Sequence, residues 1–219
     1  MTNAWTRLLW HASRLLYAQL AWSYDLVAWV VSGGRWRSWT RVGLERLPVS
    51  GAAEIAFGPG HLLLERANAG APLIGIDRSP QMVRQAARRL RRAGHALRLV
   101  RADVRRMPLA DGRLNGMLST FPAEFILDPA THREVARVLA PGAVFVVIPS
   151  ARLTGTGPLD RLFGSLARQA ALEEPLPGFR KALEAVGFMV DVGWVRLVRS
   201  EVLLVLARRA SIRPLEGTA

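Results

Sequence analysis

The chain is expected to fold as an α/β domain: a mostly parallel sheet with helices on both faces and an antiparallel hairpin at its C-terminal end. Three observations predict this. Residues 52–77, AAEIAFGPGHLLLERANAGAPLIGID, read as strand, glycine loop, helix and strand, a single βαβ unit with a nucleotide-sized crevice at its mouth. From there to residue 148, short apolar runs alternate with stretches of helical period, the pattern of a sheet covered on both sides. Phe188 to Val198 and Glu201 to Ala207 are two long apolar runs so closely joined that they pair as an antiparallel hairpin.

Composition narrows the chemistry. The 219 residues are 50% hydrophobic, which supplies a substantial core and argues against disorder over most of the chain. There is no cysteine, so disulfides, zinc–thiolate sites, iron–sulfur clusters and cysteine nucleophiles are excluded; this is compatible with a cytoplasmic location. The formal net charge is +13, carried almost wholly by arginine because Lys181 is the single lysine. Such a balance attracts nucleic acid, anionic membranes or acidic ligands. The arginines are spread along the chain rather than gathered in a tail, which equally suits solvated surfaces.

Residues 1–48 are expected to form a helical cap. This stretch holds six of the seven tryptophans and both tyrosines. Trp5, Leu8, Leu9, Leu15, Leu16 and Leu20 recur at helical spacing, Ser23 and Asp25 offer caps for a second short helix, and Arg35 to Leu47 reads as a third after Gly33-Gly34. Leu15 to Val31 is apolar for 17 residues, but Gln19 and Asp25 lie inside it, and an aspartate near a bilayer centre costs several kcal/mol. A transmembrane span is therefore rejected. Arg7, His11 and Arg14 interrupt the run that a secretion signal needs. The remaining readings are helices packed over the domain and a surface-lying helix, since indole beside guanidinium suits either.

Residues 49–210 are expected to form the main domain, with 211–219 a flexible tail. The expected strands are Ala52 to Phe57, Leu73 to Asp77, Ala96 to Val100, Leu114 to Thr120 and Ala143 to Ile148. Between them, helices are read at His61 to Asn68, Gln81 to Ala93 and Ala130 to Leu139. Ser79-Pro80 starts the second and Pro141-Gly142 stops the third. An insertion from Ala151 to Pro177 carries a helix near Leu159 to Leu172, and a last helix, Gly178 to Val186, leads into the hairpin.

Four ordered motifs then carry a resemblance: Glu54-Ile55-Ala56-Phe57-Gly58-Pro59-Gly60, Gly75-Ile76-Asp77-Arg78-Ser79-Pro80-Gln81-Met82, Arg101-Ala102-Asp103-Val104 and Arg137-Val138-Leu139-Ala140-Pro141-Gly142-Ala143. Over about residues 50 to 208 the chain resembles the class I S-adenosylmethionine-dependent methyltransferases. That likeness implies a three-layer Rossmann-like methyltransferase fold with a seven-stranded sheet, and S-adenosylmethionine as cofactor. By the resemblance, Gly58 and Gly60 let backbone approach the cofactor, and Glu54 lies near its methionine amino end. Asp77, followed by Arg78, accepts the ribose hydroxyls, Asp103 and Val104 meet the adenine edge, and Met82 lies against its face. Thr120 completes the candidate cofactor contacts.

A tyrosine–aspartate pair, Tyr24-Asp25, is similar to one in the ubiquinone/menaquinone biosynthesis methyltransferases and related phospholipid N-methyltransferases, which implies that Tyr24 closes over the cofactor. One position departs from the family: Ala56 stands where glycine is usual, and alanine disfavours positive φ. A nicotinamide dehydrogenase also wants glycines after the first strand, but Leu63 occupies the third glycine position of that fingerprint, and Glu54 and Asp103 have no task there.

The acceptor side is expected at Ser119 to Glu124, after the fourth strand. Phe121 is read as a wall of the acceptor pocket and Glu124 as the candidate catalytic base, against the plainer reading of Glu124 as a helix-start acid. His11, His61, His95 and His132 show no metal spacing, and helix surface is the reading for His61. The expected partner is a small-molecule or lipid-like acceptor, with peripheral membrane contact through the N-terminal helices beside it. RNA or another polyanion is the less favoured alternative, and a non-catalytic cofactor-binding protein a third.

Overall fold

The computed structural model describes residues 32–155 and 176–211. Tyr24, the first two N-terminal helices, the helix read at Leu159 to Leu172 and most of the tail lie outside the described residues. The elements are α1 (Trp36–Leu44), β1 (Ala52–Ile55), α2 (His61–Asn68), β2 (Ile74–Asp77), α3 (Pro80–Arg92), β3 (Leu99–Arg101), β4 (Leu114–Thr120), a 3-10 turn (Glu124–Leu127), α4 (Pro129–Val138), β5 (Leu139–Leu153), α5 (Leu176–Glu184), β6 (Phe188–Leu197) and β7 (Ser200–Arg209).

One seven-stranded sheet runs in the order β3-β2-β1-β4-β5-β7-β6. Strands β1 to β5 pair in parallel, and β7 pairs antiparallel with both β5 and β6. The chain order reverses between β1 and β4, which opens a crevice at the carboxyl ends of those strands, where open α/β sheets bind ligands.

Alternation along the strands splits the core in two. Leu118, Val146, Ile148 and Leu204 face α1, α2 and α3, packing with Trp39, Leu63, Met82 and Leu90. Met117, Phe145, Val147 and Val205 face the other way, against Val135 of α4 and Phe179 and Leu183 of α5. Two of the helices begin at a side-chain cap followed by proline. Ser79 Oγ accepts the Met82 N–H ahead of Pro80 at the start of α3, and Asp128 Oδ1 accepts the Ala130 N–H ahead of Pro129 at the start of α4.

α1 lies close on the sheet because it presents a glycine: a Cβ at Gly43 would sit 2.7 Å from Leu118 Cδ1 and 3.0 Å from Ile148 Cδ1. Trp39, 2% exposed, is anchored by its indole N–H donating to Ser200 Oγ at 3.0 Å. The α1 segment is thereby brought beside the crevice.

Several boundaries differ from the sequence reading. β5 runs five residues past the expected end at Ile148, because β7 supplies partners for Ser150 to Leu153 after a register shift between Val147 and Ser150. It also starts at Leu139, directly after α4, so Pro141-Gly142 lies inside an extended segment instead of stopping a helix. β3 is shorter than expected; it is an edge strand with only β2 to pair with, from Leu99 to Arg101. No helix among the described residues is long and apolar enough to cross a membrane.

Candidate functional site

The loop after β1 is built from three residues with positive φ: Ala56 at 51°, Gly58 at 56° and Gly60 at 79°. Ala56 adopts the left-handed conformation that the sequence reading counted against alanine. It keeps its place in the sheet, donating its N–H to the Ile76 carbonyl at 2.8 Å. The strain this stores is about 1–2 kcal/mol. Gly60 has a second reason to be glycine, since a Cβ there would lie 2.6 Å from Ala86 Cβ on α3. The Arg89 guanidinium, also on α3, donates to the Pro59 carbonyl, so α3 supports the loop from outside. Leu63, where a dinucleotide site would have glycine, is 2% exposed and fills the space above Gly75; a Cβ at Gly75 would lie 2.7 Å from Leu63 Cδ1.

Around this loop lie the two carboxylates of the first two strands. Glu54 is 2% exposed, and its Oε2 oxygen has no hydrogen-bond partner among the described residues. Burial, and secondarily the charge of Asp77, push its pKa well above the ordinary carboxylate value. Asp77 is held from both sides: Oδ2 accepts the Gly58 N–H at 3.1 Å and Oδ1 the Ser79 N–H at 2.8 Å. Burial still raises its pKa, against the lowering effect of those two bonds and of Arg78. A carboxylate has about four lone-pair sites, so Asp77 retains capacity for two further donors.

A cleft of about 250 Å³ opens beside the loop. Glu54, Ala56, Gly58 and Thr120 form its floor; Gly34, Trp36, Arg37 and Thr40 of the α1 region form one side, and His61 and Glu65 of α2 the other. His61 is thus half-buried in the cleft wall, where helix surface was expected. The α1 contribution was missed at the level of individual residues, because only packing against the sheet brings Arg37 and Thr40 to the loop.

The remaining candidates are distributed along the sheet edge. Asp103 follows β3, half-exposed, with Arg105 donating to both of its oxygens through Nε (2.9 Å) and Nη2 (2.7 Å). That guanidinium, above all, lowers the Asp103 pKa to about 2. Arg78 is exposed, 3.9 Å from Asp103. Val104 is buried at 7% in the core beneath β3 and β4, and Met82 at 6% in the core under α3. Phe121 stacks on Trp36 at a centroid distance of 4.2 Å, with Trp39 at 6.1 Å. Its φ of 48° is unusual for a bulky residue and marks a strained turn at the head of the loop. Glu124 opens the 3-10 turn, exposed, and is not among the residues lining the cleft. Among the described residues no group of three histidine or acidic side chains could hold a metal ion.

An open α/β sheet reversing at β1/β4, a glycine loop after β1 and acids at the ends of β1, β2 and β3 define a Rossmann-like methyltransferase fold. The known proteins agree. Residues 52–142 match the family described as a methyltransferase domain. The chain is 32% identical over 141 residues to a demethylmenaquinone methyltransferase of Thermus thermophilus, covering 61% of this chain and 63% of that protein. It is 28% identical over 179 residues to the demethylmenaquinone methyltransferase of Mycolicibacterium vanbaalenii, covering 80% and 73%. Among solved structures, a geranyl diphosphate C-methyltransferase from Streptomyces coelicolor, determined with S-adenosyl-L-homocysteine, superposes with a TM-score of 0.61 at 13% identity, covering 80% and 79%. Residues 52–142 thus carry a match to a methyltransferase domain, and the chain is similar to the class I S-adenosylmethionine-dependent methyltransferases.

Proposed function

We propose that this protein binds S-adenosylmethionine and transfers its methyl group to a small or lipid-like acceptor. The observation that carries the reading is Glu54: a buried carboxylate with an oxygen unpartnered among the described residues, lining an open cleft, is costly unless a cationic or hydrogen-bond-donating ligand meets it. An α-ammonium group is such a ligand. In this reading Gly58 and Gly60 admit the methionine portion, Asp77 takes the ribose hydroxyls, and Asp103 with the Val104 N–H takes the adenine edge. Arg78, Met82 and Thr120 border the same ligand, and residues 1–48, with Tyr24, close over it.

The cofactor supplies a methyl group already activated by a sulfonium. What the chain must do is align an acceptor nucleophile and exclude water. The Trp36–Phe121 stack over the end of β4 suits an apolar acceptor, and the relatives named for demethylmenaquinone support a lipid-like one. Glu124 serves as base only for an acceptor with a proton to lose. Titration calorimetry tests the cofactor assignment: wild type binds S-adenosylmethionine, and Asp77→Ala abolishes the heat. Equal binding by both proteins would remove Asp77 from the site.

A polyanionic acceptor is the second reading. It rests on the exposed Arg84, Arg88, Arg91 and Arg92 of α3, a helix with no acidic residue.

A further inference from the structure

Arg105 joins two parts of the site that separate elements deliver. Asp103 lies just beyond β3; Asp128 ends the loop after β4 and caps α4. The Arg105 main-chain N–H and Nε both donate to Asp103 Oδ1, at 3.0 and 2.9 Å, and Nη2 donates to Oδ2 at 2.7 Å. The remaining arm of the same guanidinium, Nη1, donates to Asp128 Oδ2 at 3.4 Å.

The loop so reached spans residues 121–128. It begins at Phe121, strained and stacked on Trp36, and passes through the 3-10 turn, whose Ile126 carbonyl bonds His132 Nε2 at 2.7 Å. It ends at Asp128. One end is therefore pinned to α1, and the other, through Arg105, to the acid at the base end of the candidate cofactor site.

We propose that Arg105 is a positioning residue that couples occupancy of the cofactor's base end to the order of the acceptor loop, residues 121–128; this rests on the reading of Asp103 as the acid that meets the adenine. The side chains of Asp103, Arg105 and Asp128 are 34%, 42% and 33% exposed, so without ligand these pairs are screened and hold the loop weakly. An amino group donating to the open lone pair of Asp103 Oδ2 confines that carboxylate. The two-point fork then confines the guanidinium with it, because a planar bidentate pair cannot rotate one partner alone. The Nη1 arm is thereby held in line with Asp128. Covering the pair also excludes water, which strengthens both contacts.

Hydrogen exchange on the full chain, with and without saturating S-adenosylhomocysteine, tests this. In wild type the ligand is expected to slow exchange both in the glycine loop, 56–60, and in 121–128. In Arg105→Ala, and in Asp128→Asn, which keeps a side chain able to cap α4, the glycine loop stays protected while the gain at 121–128 is lost. Arg105→Lys, which keeps the charge but not the fork, loses it as well. Ligand-induced protection of 121–128 persisting in Asp128→Asn and Arg105→Ala overturns the coupling, as does wild-type protection confined to the glycine loop. No protection anywhere in wild type overturns the cofactor reading itself, and the coupling with it.

Discussion

Glu54 and Ala56 stand two residues apart, and each is in a condition that protein interiors usually avoid. The folded-state pKa of Glu54 is raised by burial, so the stability linked to this group is fully present below the usual carboxylate pKa and is lost as pH rises through the raised value. Asp77, raised in the same direction, adds to the trend. The contribution of these two groups to the stability of the ligand-free protein should therefore fall as pH rises above the ordinary carboxylate range. Glu54→Gln should flatten part of that fall in a melting series, while weakening S-adenosylmethionine binding by about tenfold or more through loss of a charge-assisted contact. A melting temperature with the same pH dependence in both proteins would disprove the Glu54 contribution. Ala56 makes the opposite case, a backbone cost with no charge. Glycine would relieve about 1–2 kcal/mol of left-handed strain but add about 0.4–1 kcal/mol of unfolded-state entropy. Ala56→Gly should thus be neutral to stabilising, by up to about 1.6 kcal/mol in denaturant unfolding, with cofactor affinity unchanged or improved. Destabilisation would mean that the φ of 51° is easily borne.

α1 is the element that gives the cleft at the carboxyl ends of the strands one of its sides. Its helical face is set by sequence, but its seat depends on Gly43, which allows the close approach to Leu118 and Ile148, and on the Trp39–Ser200 hydrogen bond across the sheet. Ser200 is 1% exposed, so Ser200→Ala would leave a buried indole N–H without its acceptor. That should cost about 1–3 kcal/mol. A melting shift within error of zero would show that α1 is held by apolar packing alone. α3 plays the matching part on the far side of the loop, through Ala86 under Gly60 and Arg89 on Pro59.

At the scale of the whole molecule, the excess of arginine sets how the protein meets its surroundings. Some of it is spent internally. Arg137 bonds Glu134, Asp111 and the Leu109 and Met107 carbonyls, and Arg105 bonds two aspartates. The α3 arginines 84, 88, 91 and 92 face solvent. If that face docks a polyanion, RNA binding should weaken steeply with salt, with a log–log slope that counts phosphate contacts and falls when these arginines are replaced. A small or lipid-like acceptor predicts no such binding, and turnover that is little affected by the same replacements.

The sequence alone was enough for the sheet class, the βαβ unit, the order of the motifs and the acids at the ends of β1, β2 and β3, because period-2 and period-3.6 patterns, proline caps and glycine loops are local signals. α2 and β4 were read at their observed limits for that reason. Only the tertiary structure decided how far β5 runs, since the strand read from sequence ends at Ile148 and it is β7 that provides partners for Ser150 to Leu153. It also decided that Arg37 and Thr40 border the cleft, that Phe121 stacks on Trp36, that one oxygen of Glu54 is left without a partner, and that Arg105 ties Asp103 to Asp128. Each of these is a contact between segments distant in the chain. Such contacts are set by how helices and strands pack, and no local period encodes them.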